Sequence, residues 1–155
     1  MSEVFSIGIA GIKVARSPNR LRTTLGSCIG IALYDRVGHV AGLAHVMLPE
    51  SNGHKGDRGK FADTGVDWLL EQVLEAGAAR GRLAAKLAGG ASMFGAVMDN
   101  GLGERNARAV RERLSKHGIR VVAEHIGGEK GRRMLLDPAS GEVTVQIIGA
   151  EPAVL

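Results

Sequence analysis

Cysteine occurs once in the 155 residues, at position 28. No intrachain disulfide is then possible, and the core alone must hold the fold. Aromatic residues are almost as scarce, with three Phe, one Trp and one Tyr. That scarcity argues against single-stranded nucleic-acid binding, which needs exposed rings for bases to stack on. No run approaches the roughly 18 apolar residues of a membrane span. The first residues also lack the basic-then-apolar pattern of a secretory leader. From these absences we expect a cytoplasmic protein with a free thiol and no direct membrane insertion. Neither sign of charge dominates: 20 Lys and Arg stand against 16 Asp and Glu, a net +4. The basic residues come in short groups, at 16–22, 105–113 and 130–133, and not in one block. A surface of this kind suits an acidic protein partner better than nucleic acid.

Glycine is what the chain has in excess, at 23 residues, against a usual share of about 7%. The core must be built from Ala, Val, Leu and Ile. The length fits one domain, residues 1–155, large enough to need no metal or disulfide staple. Segment 4–15 reads as one or two short strands and 17–20 as a turn. CIGIALYD, opened by Cys28, reads as a buried strand whose hairpin partner is VAGLAHVMLP. Residues 50–60 form a polar, glycine-rich loop. A helix follows, capped by Asp63 or Thr64, with Val66, Leu69, Leu70, Val73 and Leu74 on one face and Gly77 at its end. LAAKLAGGA is a strand, and 104–117 a second helix with Ala107, Val110 and Leu114 inward. IRVVAEHI is a further strand, and MLLDPASGEVTVQII a hairpin. Many strands, mostly antiparallel hairpins, and two main helices predict an α+β fold or layered α/β sandwich, not a doubly wound sheet.

Cys28 stands where a glycine-containing turn, LGSC, enters an apolar strand. A strand fixes the backbone there, and Gly26 and Gly30 leave room for a substrate carbonyl. His45 interrupts the apolar run of the expected neighbouring strand. A thiol next to an imidazole is the minimum set for thiolate catalysis. The residues alone leave two readings open: a catalytic pair, or a buried thiol beside a histidine that bonds a backbone carbonyl. His39, His54 and His117 read as solvent-facing, and one cysteine with scattered histidines gives no zinc-ligand spacing. AGGASMFG lacks the lysine and hydroxyl of a P-loop and reads as a structural glycine turn.

TTLGSC, AHVMLPES, KFADTGVDWLLE, KLAGGASMF, GERNARAV and AEHIGGEKGRRMLLDPASGEVTV follow one another in this order. Together they resemble the CheD family of chemoreceptor glutamine deamidases, from about residue 4 to residue 149. The resemblance implies a cysteine-dependent amidohydrolase that converts particular glutamine side chains of methyl-accepting chemoreceptors to glutamate in chemotaxis. It implies a sandwich fold similar to the catalytic domain of cytotoxic necrotizing factor, and the phosphatase CheC as a possible partner. Cys28 and His45 take the places of the family's catalytic Cys and His. A third family residue, a threonine shortly before LGSC, stands in some members six positions before the cysteine, where this chain has Arg22. Thr23 is favoured over Thr24 for that role; on a strand the two face opposite ways, so only one can serve. Where relatives often carry Asp ahead of the late Gly-Gly pair, this chain has His125.

The chemistry so implied needs no metal or organic cofactor. The Cys28 thiolate attacks the glutamine carbonyl, N–H groups near Gly26 to Cys28 receive the oxyanion, and a thioester is hydrolysed with His45 as acid and base. The competing reading is a non-catalytic chemotaxis regulator that binds a receptor or a CheC-like phosphatase.

Overall fold

The computed structural model describes residues 2–95 and 97–155. Strands β1 (Val4–Ser6), β2 (Ile12–Arg16), β3 (Arg20–Leu25), β4 (Ile29–Asp35) and β5 (Val40–Val46) precede helix α1 (Ala62–Glu75). Then come β6 (Ala84–Gly89), α2 (Leu102–Lys116), β7 (Arg120–Ile126), β8 (Arg132–Asp137), β9 (Glu142–Gln146) and β10 (Ala153–Val154). They form two five-stranded sheets, ordered β1-β3-β8-β9-β10 and β2-β5-β4-β6-β7. Both sheets are mixed. β1 runs parallel to β3, and β6 parallel to β7, while the other pairs are antiparallel. No helix among the described residues is long and apolar enough to cross a membrane.

Burial explains the layering. Every residue of β4 and β5 is buried, which is why these strands read as continuous apolar runs. Ile29, Ile31, Leu33, Ala44 and Val46 face the helices, in a core with Val66, Leu69 and Leu114. The alternate residues Ala32, Tyr34, Ala41 and Leu43 face the first sheet, in a second core with Leu21, Leu25, Met134 and Leu136. The order is therefore helices, second sheet, first sheet. Strand β3 has only one covered face and alternates accordingly: Leu21, Thr23 and Leu25 are buried, Arg22 and Thr24 exposed.

Several local expectations are corrected. Phe61 is the N-cap residue of α1, with no side-chain cap. Asp63 lies in the first turn, and its carboxylate accepts the N–H and hydroxyl of Ser51, which tethers the start of the 50–60 loop. Cys28 precedes β4 instead of opening it. His117 does not simply face solvent: its Nε2 lies 2.7 Å from the carboxylate of Asp67, which Arg113 also grips. His39 is exposed, with Nδ1 3.0 Å from the Ala139 carbonyl.

Asp35 joins β4 to the 3-10 turn before β6. Its fully buried carboxylate accepts from Arg82 at 2.9 and 2.8 Å and from the N–H groups of Val37, Gly38 and Ala79. The Arg82 hydrogen bond holds the carboxyl well below the usual carboxylate range. Asp35→Ala strands these donors and should lower unfolding free energy by at least about 2 kcal/mol in denaturant titration. Because the folded pKa is depressed, the stabilisation is present above the ordinary value near ~3.9 and is lost as pH falls through the folded one. The wild-type advantage over the variant should shrink in acid.

Candidate active site

His45 sits near the end of β5, opposite Gly30 of β4. Its side chain alternates with Ala44 and Val46 and so shares the face of Ala41 and Leu43, between the two sheets. Cys28 lies just before β4 and packs against that same inter-sheet core. Gly30, the register partner of His45, has no room for a side chain. A Cβ there would come within 2.5 Å of the Met134 sulfur and 2.9 Å of a Leu25 methyl. Across the turn Gly89 has φ +110°, and a Cβ on it would meet the Cys28 carbonyl oxygen at 2.1 Å. Glycines therefore let the first sheet close on β4 and the end of β6 close on the backbone of Cys28.

Thr23 enters from the opposite sheet. Its Oγ1 lies 2.7 Å from His45 Nδ1 and 3.0 Å from the Ile7 carbonyl. A hydroxyl has one proton, and the carbonyl of Ile7 can only accept it. Thr23 must then accept from the ring, so Nδ1 carries the imidazole proton and Nε2 keeps its lone pair. That Nε2 is buried and has no partner among the described residues. The ring's backbone is fixed as well, with Ala10 donating to the His45 carbonyl and the His45 N–H donating to Gly11. Thr24 points to the outer face of β3 and takes no part.

Burial pushes the Cys28 thiol pKa up, an effect partly offset by its own backbone N–H. Burial also pushes the His45 pKa down. Both shifts favour the neutral thiol and neutral imidazole over the ion pair. The resting pair is therefore neutral, with the proton on sulfur and the Nε2 lone pair available to take it. Iodoacetamide should therefore alkylate Cys28 slowly at neutral pH, and faster as pH rises through a midpoint above the ordinary thiol value near ~8.5. Any reaction rate that depends on neutral His45 should hold into mildly acidic solution, its acid limb lying below the ordinary imidazole value of ~6.5. Fast alkylation that is independent of pH down to acidic values would mean a resting thiolate–imidazolium pair instead.

The surroundings add features to which the sequence reading gave no part in the site. Beside the ring opens a cavity of about 490 Å³ lined by Ser6, Ile7, Arg22, Thr23, His45 and Arg133 among others. Next to Gly26, the segment after β6 carries Met93, Phe94, Val97 and Met98, of which Phe94 is 78% and Val97 96% exposed. Four bulky apolar residues in a glycine-rich segment without strand or helix periodicity were the available signal. Asn106 of α2 is fully buried and donates to the carbonyls of Ser27 and Met47, each at 3.1 Å. A polar residue on the inward stripe of an amphipathic helix marked it. His125 Nδ1 and its carbonyl both accept from buried Arg132, which also bonds the carbonyls of Gly127 and Lys130 and so shapes the loop beside Met93.

A half-buried thiol and an imidazole of fixed tautomer with its lone pair free are parts that a thiol-dependent acyl-transfer enzyme requires. Comparison with known proteins narrows the class. A family model described as CheD chemotactic sensory transduction matches residues 47–147. A probable chemoreceptor glutamine deamidase CheD of Desulforamulus reducens is 48% identical over 150 residues, covering 93% of this chain and 90% of its own. The protein of that description from Clostridium tetani is 46% identical over 94% of this chain and 92% of its own. The one from Pyrococcus abyssi is 44% identical over 97% and 96%. The chain belongs to the CheD family. A crystal structure of Neisseria meningitidis protein NMB0706 is similar over 76% of this chain and 51% of that one, with 13% identity and a TM-score of 0.39, too distant to bear on function.

Proposed function

We propose that this protein is a chemoreceptor glutamine deamidase, a cysteine-dependent amidohydrolase of chemotaxis that works in the cytoplasm on methyl-accepting chemoreceptors. One observation carries the chemistry: Thr23 holds the protonated Nδ1 of His45, and the free Nε2 is buried on the sheet face that Cys28 shares. Family membership supplies the substrate class, since the relatives named above are described as chemoreceptor glutamine deamidases.

The steps follow from the groups present. Cys28 attacks the glutamine side-chain carbonyl as its proton passes to His45 Nε2. The N–H groups of Ser27 and Cys28 donate to no backbone group among the described residues, and they are the natural donors to the oxyanion. The imidazolium protonates the leaving ammonia, and a thioester remains on Sγ. His45 then takes a proton from water, hydroxide adds to the thioester, and glutamate leaves as the thiol is restored. Thr23 stabilises the imidazolium by keeping its hydroxyl oxygen at Nδ1.

Residues 1–155 act as one deamidase domain; in support, the second sheet contributes to both cores. The exposed Met93, Phe94, Val97 and Met98 favour a protein substrate over a small amide. A CheC-like phosphatase is a second partner proposed from the family resemblance, as is the likeness of the fold to cytotoxic necrotizing factor. The test is to incubate a chemoreceptor cytoplasmic domain with the protein, then map peptides by mass and assay ammonia. Conversion of specific glutamines with matching ammonia release is expected. Tight binding without either favours the non-catalytic regulator.

A further inference from the structure

Three consecutive carbonyls ahead of β4 are all engaged. The Gly26 oxygen accepts the Ala91 N–H, and the Cys28 oxygen accepts the Gly90 N–H, each at 2.9 Å. Between them the Ser27 oxygen accepts the side-chain amide of Asn106, at 3.1 Å. The same nitrogen donates at 3.1 Å to the carbonyl of Met47, two residues beyond His45. One side chain thus ties the backbone on either side of the Cys28–His45 pair.

Packing does not account for Asn106. It is fully buried on the stripe of α2 that carries Ala107, Val110 and Leu114, where an apolar residue is the ordinary choice. Its Oδ1 is buried with no partner among the described residues, a loss that leucine would avoid. The amide nitrogen is what the position provides.

The consequence lies in the peptide that Asn106 grips. The Ser27–Cys28 bond is not among the cis peptides, and in a planar trans peptide the carbonyl and the following N–H point opposite ways. Drawing the Ser27 carbonyl toward α2 therefore turns the Cys28 N–H away from the helix. That N–H donates to no backbone group among the described residues, and it lies close enough to its own thiol to offset part of the effect of burial. We propose that Asn106 is a positioning residue for deamidation, holding the Ser27 carbonyl so that the Cys28 N–H faces the oxyanion, and holding the Met47 carbonyl so that this donor keeps its place relative to His45. The inference rests on the deamidase reading above and refines its transition state. Asn106 touches no reacting atom.

The test separates oxyanion stabilisation from thiol reactivity. Asn106→Leu and Asn106→Ser are assayed for deamidation of a chemoreceptor cytoplasmic domain, and for alkylation of Cys28 by iodoacetamide across pH. Alkylation passes through no oxyanion. We expect kcat to fall roughly 10- to 100-fold while KM, the alkylation rate and its pH profile stay within about twofold of wild type. A folded variant with unchanged kcat overturns the proposal. So does a variant whose alkylation falls in step with kcat, since Asn106 would then support the thiol and ring. If neither variant folds, the wild type decides: a receptor peptide with an aldehyde in place of the glutamine amide forms a hemithioacetal on Cys28. The Cys28 amide proton should then shift strongly downfield, and an adduct that leaves it unmoved contradicts the proposal. A wild-type protein that neither deamidates nor forms the adduct removes the deamidase reading itself, and this inference with it.

Discussion

Cys28→Ala should fold, bind its receptor and show deamidation at background. The substitution removes one sulfur from a half-buried site at the edge of the inter-sheet core, a loss on the order of 1 kcal/mol against a domain stability of roughly 5–15. No second thiol exists. Ser27 is the nearest hydroxyl, but its peptide is tied back to Asn106 and no base addresses its side chain among the described residues. Receptor pull-down and peptide mass are measured on one preparation of each protein. A folded Cys28→Ala that still converts glutamine dismisses Cys28 as the nucleophile. Loss of binding along with activity would assign the thiol a part in recognition.

His45→Gln should reduce kcat by roughly 10²- to 10⁴-fold, the usual contribution of a positioned acid–base group. Thr23→Val, which keeps the shape but loses the oxygen at Nδ1, should cost less, because the ring remains in place with its tautomer no longer held. The order of the two losses is the informative result, read from kcat at saturating receptor. A Thr23→Val protein as impaired as His45→Gln would mean that the hydroxyl serves the fold of the 7–11 segment, through its bond to Ile7, more than the ring. A His45→Gln protein of near wild-type rate would leave the imidazole without a catalytic role.

How much of this was legible in the sequence follows from which contacts are local. The β4–β5 hairpin could be read because both strands are buried on two faces, and the one imidazole in β5 stood out against an apolar background. The helical stripes were legible for the same reason of period. The preference for Thr23 over Thr24 came from the family resemblance and not from any local pattern. Which of the two can serve depends on which face of β3 meets the second sheet, and that is set by pairing with β8, where Thr23 lies opposite Met134 more than a hundred residues away. No local pattern encodes that register. The parallel pairing of β6 with β7 was hidden likewise, because it is made by α2 crossing between them. Asn106 escaped because an asparagine in a helix rich in charge looks like one more solvated residue until its buried neighbours Gly103, Ala107, Val110 and Leu114 are counted. Phe61 displaced Asp63 as the cap of α1 because the Asp63 carboxylate is engaged with Ser51, a contact between loop and helix that spacing does not reveal.

The most direct measurement of the central claim is peptide mapping by mass spectrometry of a chemoreceptor cytoplasmic domain, incubated with wild-type protein or with Cys28→Ala and quenched in acid over a time course. With wild type, a few defined glutamines should become glutamate, ammonia should appear in equal amount, and early quenches should show a receptor peptide joined to Cys28 through a base-labile thioester. With Cys28→Ala, none of the three should appear. A receptor domain that binds the wild-type protein yet keeps every glutamine amide, with no adduct on Cys28, would contradict the account.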